Sequence, residues 1–302
     1  MKRESSKAPK PFLKWVGGKT QLLPELEARL PSDFTETVRV YAEPFVGGGA
    51  LLFRVLSRPN RLERIIVNDS NHELANAWRV VQAEPDALID RLSRLQAEYA
   101  SFTDEGGRKN FYLGVRSAFN ARPFHRTHPD AGRAALLLFL NRTCFNGLYR
   151  VNAKGLFNVP FGKYIHPSIC DEPSIRAASA ALTGIEILSG DYSEAVANAG
   201  HGWFVYFDPP YRPISATAAF CDYTQGGFDD AEQRRLAECC RRLDEEGARW
   251  MLSNSDAADG FFDRLYRGFR IDRVQAARAI NAKGDGRGKV SEIIVRNVRG
   301  AP

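Results

Sequence analysis

Short, nearly continuous apolar runs alternate with helix-spaced ones at both ends of the chain, and a basic helical stretch separates the two. Val38 to Glu43 is a short β-rich run feeding the glycine turn Gly47-Gly48-Gly49, after which Ala50 to Leu56 reads as helix. A second strand, Arg64 to Val67, ends at Asn68-Asp69, and a helical pattern follows from His72 through Gln82 with apolar positions near Leu74, Ala77, Trp78 and Val81. From Glu84 to about Ala181 the texture changes to helical segments near 85–100, 107–119 and 132–140 among Pro- and Gly-punctuated polar loops. Alternation resumes with Gly184 to Leu188, Trp203 to Phe207, a long helix near Asp229 to Glu246, Arg249 to Leu252, and a closing pair near 269–274 and 291–297. This grammar predicts an α/β fold, an open and mostly parallel sheet with helices on both faces, built from 1–83 and 182–302, with 84–181 inserted as a mainly helical module.

The run Trp203-Phe204-Val205-Tyr206-Phe207 stops at Asp208-Pro209-Pro210-Tyr211. Consecutive prolines have fixed φ and no N–H, so their carbonyls are held rigidly beside an acid and an aromatic ring. Two readings stand: a strand closed by a proline turn with an Asp cap, or a pocket for a planar amine. In the second, one carboxylate oxygen and one fixed carbonyl satisfy the two N–H donors of a nucleobase amine while Tyr211 stacks on the base.

Ligands of such sheets sit at the carboxyl ends of the strands, where Glu43, Gly47 to Gly49, Asp69 and Asp208 all fall. Glycines let backbone approach a ligand, and an acid ending the second strand is placed for ribose hydroxyls. Neither a G-x-x-x-x-G-K-[ST] loop nor a complete G-x-G-x-x-G is present, which disfavours a triphosphate or dinucleotide. A nucleoside without phosphates fits better, and S-adenosylmethionine is one whose sulfonium charge suits nearby acids.

The net charge of +6 conceals segregation: residues 108–163 carry ten Lys/Arg against Asp130 alone, and 264–299 carry ten against Asp272, Asp285 and Glu292. Interleaved with Asn, Tyr and Phe, such density is what a phosphate backbone selects, although a charge run is also the mark of a solvated face. Cys144, Cys170, Cys221, Cys239 and Cys240 form no C-x-x-C pair, and His72, His125, His128, His166 and His201 are scattered, so neither a disulfide framework nor a metal site is expected. With no long apolar stretch and a basic, polar Met1 to Lys10 that reads as a mobile tail, a cytoplasmic protein without membrane contact is expected. A length of 302 residues allows one large domain or one domain plus an insertion.

Four separated motifs in order carry a resemblance: Phe12-Leu13-Lys14-Trp15-Val16-Gly17-Gly18-Lys19, Glu43-Pro44-Phe45-Val46-Gly47-Gly48-Gly49, Asn68-Asp69, and LNRTCFNGLYRVNAKGLFNVPFGKY at 140–164, upstream of the Asp-Pro-Pro-Tyr turn. With Leu252-Ser253-Asn254-Ser255 and Gly286-Arg287-Gly288-Lys289-Val290-Ser291-Glu292 behind it, nearly the whole chain resembles the Dam-like (D12 class, alpha group) DNA adenine-N6 methyltransferases, and looks closest to the GATC methylases of DpnII-type restriction systems. The resemblance implies a Rossmann-like S-adenosylmethionine-dependent sheet with a target-recognition insert. It implies a cofactor enclosed by Trp15, Lys19, Glu43, Phe45, Gly47, Gly49, Asp69 and Asp208, and catalysis by Asp208, Pro209, Pro210 and Tyr211. Lys14, Arg142, Phe145, Asn146, Arg150 and Asn152 are the implied DNA contacts, with Arg150 as guanine reader and Phe145 and Asn146 at the disturbed duplex.

It also implies double-stranded DNA as partner, a monomer working at the nucleoid, no metal, and a functionally paired endonuclease where the gene belongs to a restriction system. Other readings of single residues stay open: Trp15 as core, Lys19 as a solvated charge, Asp69 as a helix cap and Phe145 as a packed loop anchor. So do other functions, namely an RNA, protein-amide or cytosine-N4 methyltransferase, or a catalytically silent DNA-binding protein. Cytosine-N4 enzymes resemble the pattern with Ser first and protein-glutamine enzymes with Asn first, so Asp208 favours adenine.

Overall fold

The computed structural model describes residues 8–122, 124, 128–212, 228–277 and 289–297. The expected mobile tail falls mostly, and His125, Cys221 and Gly286 to Gly288 fall wholly, outside the described residues. The chain forms two compact units, one of Met1–Gly18, Gly47–Arg58 and Ser70–Ser189, the other of Lys19–Val46, Pro59–Asp69 and Gly190–Pro302.

Of the seven strands among the described residues, six lie in the second unit, in the order β2-β1-β4-β5-β7-β6. β1 (Val40–Glu43), β2 (Arg64–Asn68), β4 (Trp203–Phe207) and β5 (Arg249–Ser255) run parallel, with Val40 opposite Arg64 and Trp203, and Phe207 opposite Leu252. β7 (Lys289–Arg296) returns antiparallel to β5 and to β6 (Arg270–Ala277). β4 is buried at every position, which is why it reads as an unbroken apolar run. Helix α9 (Asp230–Glu245) packs Leu236, Ala237, Cys240 and Leu243 inward, capped by Asp229, whose carboxylate accepts from Ala231 and Glu232 N–H. Three short helices, α1 (Leu23–Glu27), α2 (Phe34–Thr37) and α10 (Phe261–Leu265), also lie in this unit.

The first unit is mainly helical: α3 (Ala50–Leu56), α4 (His72–Ala83), α5 (Pro85–Ser101), α6 (Glu105–Ala121), α7 (Ala131–Thr143), α8 (Glu172–Ala181) and the short strand β3 (Glu186–Leu188). α7 packs against α4, α5 and α6 and buries Leu137, Leu138, Phe139 and Leu140 in succession, so it is apolar all round rather than striped.

Every predicted strand and long helix forms. Two details differ. α8 was not expected, because its Ala/Ser-rich sequence buries only Ser174, Ile175 and Ala178 and so shows a weak apolar pattern. Arg142, expected in a loop, lies in the last turn of α7, because the polar run Asn141-Arg142-Thr143 finds partners that let the helix continue; Thr143 Oγ1, for instance, donates to the Phe139 carbonyl at 2.7 Å.

Candidate active site

Parallel register builds the centre of the site. Since Phe207 lies opposite Leu252, the next residues, Asp208 and Ser253, leave adjacent strands side by side, and Ser253 Oγ donates to Asp208 Oδ1 at 2.9 Å. Tyr206 points to the same face as Asp208, two residues away, and its hydroxyl lies 2.9 Å from Ser253 Oγ. Lys19, from the short 3₁₀ turn Lys19–Gln21, brings its ammonium 2.9 Å from Asp208 Oδ1 and 4.3 Å from the centre of the Tyr211 ring. Lys19 is 8% exposed, so it is not a solvated charge. Burial pushes the Asp208 carboxyl pKa above its ordinary value, opposed by the Lys19 charge and by the Ser253 hydrogen bond. Among the described residues Oδ2 receives no hydrogen bond.

The proline turn is pinned from behind. Gln233 Nε2 donates to the Pro210 carbonyl at 3.2 Å, whereas the Pro209 carbonyl receives no hydrogen bond among the described residues. Arg212 N–H donates to Asn254 Oδ1 and Ser255 Oγ to the Arg212 carbonyl, with Asn254, Ser255 and Gln233 all buried. The Arg212 guanidinium pairs with Asp230 and Asp259 and lies over Phe261. Tyr211 OH donates to Glu292 Oε2 at 2.8 Å, fixing the ring plane. Ser253, Tyr206, Gln233, Asn254 and Glu292 were given no role from the sequence, although Ser253 and Asn254 stand in the Leu252–Ser255 motif and Glu292 in the Gly286–Glu292 motif of the resemblance.

At the ends of β1 and β2 the same unit places Glu43 and Asp69. Glu43 is 2% exposed and accepts from Tyr41 OH. Asn68 donates to the Pro44 and Gly190 carbonyls, yet its buried Oδ1 has no partner among the described residues. Half-buried Phe45 lies against Tyr192, Phe207 and Phe228 with centroids 5.1, 6.4 and 5.5 Å away. Desolvated acids, an orphaned acceptor and a partly open aromatic cluster fit a cationic nucleoside.

In the first unit Trp15 is half-buried rather than core and stacks on Tyr149 at 5.6 Å. It packs over Gly47, where an added Cβ would come 3.0 Å from the indole Cδ1. Gly47 and Gly49 have φ of +49° and +68°, and at Gly49 a Cβ would stand 2.4 Å from the Trp78 ring, so this turn requires glycine twice. Trp78 Nε1 donates to the Gly47 carbonyl at 3.0 Å. Asn71, not Asp69, caps α4, its side chain accepting from Glu73 and Leu74 N–H.

Within the 140–164 run, buried Asn141 accepts from Lys14 N–H at 2.8 Å and donates to the Lys14 and Gly147 carbonyls. This ties the Trp15 segment to the turn Phe145–Gly147, in which Asn146 has φ +54°. Phe145 is 47% exposed and so is not a packed anchor. Arg150 is held by Asn158, through Oδ1 at 2.6 Å and the carbonyl at 3.2 Å, while Asn152 Oδ1 accepts from Lys154 and Leu156 N–H. Arg142 donates to the Phe12 carbonyl at 2.7 Å.

Much of the basic excess serves the fold. Arg133 makes a buried pair with Glu73 at 2.6 Å, Arg122 pairs with Asp130, and Arg108 reaches the Phe102 carbonyl. In the second block Arg273 pairs with Asp256 and Asp263, and Arg296 with Asp272.

A cavity of about 260 Å³ in the first unit, lined by His72, Asn76, Arg79, Phe124, His128 and Ser189, holds none of the expected site residues. Among the described residues no cluster of His, Cys, Asp and Glu could hold a metal, and no helix is long and apolar enough to cross a membrane.

The family of D12 class N6 adenine-specific DNA methyltransferases matches residues 15–280. The type II methyltransferase M.MjaIII of Methanocaldococcus jannaschii is 46% identical over 290 residues, covering 95% of this chain and 99% of its own. The type II methyltransferase M1.LlaDCHI of Lactococcus lactis is 41% identical, covering 95% of each chain. A DNA adenine methylase of Vibrio cholerae is 34% identical, covering 95% and 96%. With similarity running from the Trp15 segment through the Asp208 turn and beyond it, the chain belongs to the D12 class of N6 adenine-specific DNA methyltransferases.

Proposed function

We propose that this adenine-specific DNA methyltransferase modifies the adenine of a short duplex site, GATC, and that Asp208 and the Pro209 carbonyl receive its amine. The observation that carries the reading is the asymmetry of Asp208: Oδ1 is occupied by Lys19 and Ser253, whereas neither Oδ2 nor the carbonyl of the adjoining Pro209 receives a hydrogen bond among the described residues. The methyl donor implied by the family, S-adenosylmethionine, supplies a methyl group on a sulfonium. In the unit that carries the proline turn, Lys19, Glu43, Phe45, Asp69 and Asp208 are the residues to hold it.

An adenine amine is a poor nucleophile because its lone pair is delocalised into the ring. With one N6 hydrogen on Asp208 Oδ2 and the other on the Pro209 carbonyl, the nitrogen becomes more tetrahedral and its lone pair is directed. Once methylated, the nitrogen is strongly acidic and its proton passes to the carboxylate, so alignment matters more than basicity. A paired base cannot reach this turn, so the adenine flips out at a cost of a few kcal/mol, offset in part by stacking on Tyr211, worth about 1–3 kcal/mol. Lys19 covers one face of that ring, and the base takes the other.

Sequence reading falls to residues 84–181, with Arg150 on guanine, Phe145 and Asn146 at the disturbed duplex, and Lys14, Arg142 and Asn152 as supporting contacts. The enzyme acts as a cytoplasmic monomer, paired in function with an endonuclease of the same specificity. Methylation-aware sequencing of DNA from cells expressing the chain tests this: N6-methyladenine confined to GATC supports it, and a different consensus overturns the site assignment while leaving the activity intact.

A further inference from the structure

We infer that Ser253 is a positioning residue for methyl transfer: its hydroxyl, oriented by Tyr206, donates to Asp208 Oδ1 and so presents Oδ2 to the incoming amine. The inference rests on the reading of Asp208 as the amine acceptor.

Ser253 is wholly buried and Tyr206 is 2% exposed, at strand positions where an apolar side chain would pack without the cost of burying a hydroxyl. A serine hydroxyl has one hydrogen. With Ser253 donating to the carboxylate at 2.9 Å, the 2.9 Å contact to Tyr206 runs the other way, from the phenol to Ser253 Oγ. The chain of donors therefore points from Tyr206 through Ser253 to Asp208. Lys19 adds a second donor to the same oxygen. Two donors on Oδ1 fix the carboxylate's rotation and hold it as an acceptor.

The chain is not a proton exit. Burial and then the Asp208 charge push the Tyr206 phenol well above its ordinary pKa, so it stays a donor and has no vacancy for the proton released after transfer. The other charged and titratable groups around this carboxylate are Lys19, Tyr211, Glu43 at the end of β1 and Glu292 on β7. Of these, Lys19 alone bonds Asp208 directly, and together with the Ser253 hydroxyl it favours the ionised form.

The test measures labelled methyl transfer to duplex DNA across pH for the full-length wild type, Ser253→Ala, Ser253→Thr, Tyr206→Phe and the Ser253→Ala/Tyr206→Phe double variant. Loss of a hydrogen bond to a charged group lowers kcat of Ser253→Ala by about 10- to 100-fold, with DNA affinity and cofactor KM within about twofold of wild type. Its acid limb moves to higher pH, because a donor to the ionised carboxylate is gone. Ser253→Thr restores most of the rate, Tyr206→Phe loses less than Ser253→Ala, and the double variant is no slower than Ser253→Ala, because the two act through one chain. An unchanged rate and acid limb in Ser253→Ala, or multiplying losses in the double variant, overturns the inference. Should Ser253→Ala not fold, Tyr206→Phe decides: no change in rate or pH profile overturns it equally. Wild-type protein that methylates adenine while Ser253→Ala does so at full rate refutes this inference alone; loss of adenine transfer in the wild type refutes the reading beneath it.

Discussion

Lys19 and Asp208 form a largely buried ion pair, Nζ to Oδ1 at 2.9 Å, between a residue of the N-terminal motif and the first residue of the proline turn. The same ammonium lies over the Tyr211 ring, so one lysine contacts both the carboxylate and the aromatic ring of the proline turn. The pH behaviour of the enzyme follows from this pair.

Burial raises the Asp208 pKa and Lys19 opposes the rise. An acid whose pKa is raised protonates earlier as pH falls, and a protonated Asp208 cannot accept the amine hydrogen in the same way. Activity is therefore present above this pKa and lost below it, beginning at a higher pH than the ~3.9 of an ordinary aspartate would give. Lys19→Met moves the acid limb further upward and lowers the rate at neutral pH, whereas Lys19→Arg shifts it less; pH–rate profiles of the three proteins check the order.

Tyr211 offers a ring for stacking and a hydroxyl bonded to Glu292. Tyr211→Phe keeps the ring and loses a hydrogen bond to a carboxylate, worth about 1.5–3 kcal/mol, while Tyr211→Ala loses that bond and also stacking worth about 1–3 kcal/mol. Alanine should therefore impair transfer more than phenylalanine, and a fluorescent adenine analogue at the target position should report reduced flipping for alanine alone.

The Gly49 turn is a stability determinant. Alanine there must adopt φ near +68° and meets the Trp78 ring at 2.4 Å. The left-handed conformation alone costs roughly 1–2 kcal/mol, and the collision adds to it, so Gly49→Ala should lower the thermal midpoint clearly. Gly47→Ala meets Trp15 at a milder 3.0 Å and should weaken cofactor binding more than it lowers stability; calorimetry on both variants separates the effects.

Arg133 carries positive charge for the fold rather than for DNA. It is paired with Glu73 and also donates to the Phe119 and Arg122 carbonyls. Arg133→Met leaves the largely desolvated Glu73 carboxylate without its cation and should cost about 3 kcal/mol in denaturant unfolding, with the salt dependence of DNA binding unchanged where the variant remains folded.

Arg150 is the residue on which discrimination should depend. Arg150→Ala should lower transfer to the preferred duplex by about 1–3 kcal/mol and leave transfer to a duplex altered at the guanine nearly as it was. Competition between the two duplexes measures the ratio, and an unchanged ratio removes Arg150 as the reader.

The element order was legible because buried parallel strands and amphipathic helices differ in apolar period, and Asp208 stood out because two prolines after a buried strand are unusual chemistry. Partners were not legible. Ten cations against one acid in 108–163 read as a surface for phosphate, yet Arg133 finds its counter-charge at Glu73, 60 residues away, and charge counting has no access to that pairing. Ser253 was hidden for a similar reason: its role depends on the register of β4 against β5, which makes it the neighbour of Asp208. Arg142 lay beyond the helix expected near 132–140, and in the last turn of α7 its side chain is engaged by the Phe12 carbonyl, a contact that sequence periodicity does not reveal.

Whether Asp208 receives an adenine amine is open to direct measurement. Incubation of duplex DNA with labelled S-adenosylmethionine, followed by mass spectrometry of the nucleosides, tests it on wild type and Asp208→Ala together. N6-methyladenine is expected with the wild type and none with Asp208→Ala, which still binds the duplex; label in cytosine, or N6-methyladenine formed at an undiminished rate by Asp208→Ala, would contradict this role of Asp208.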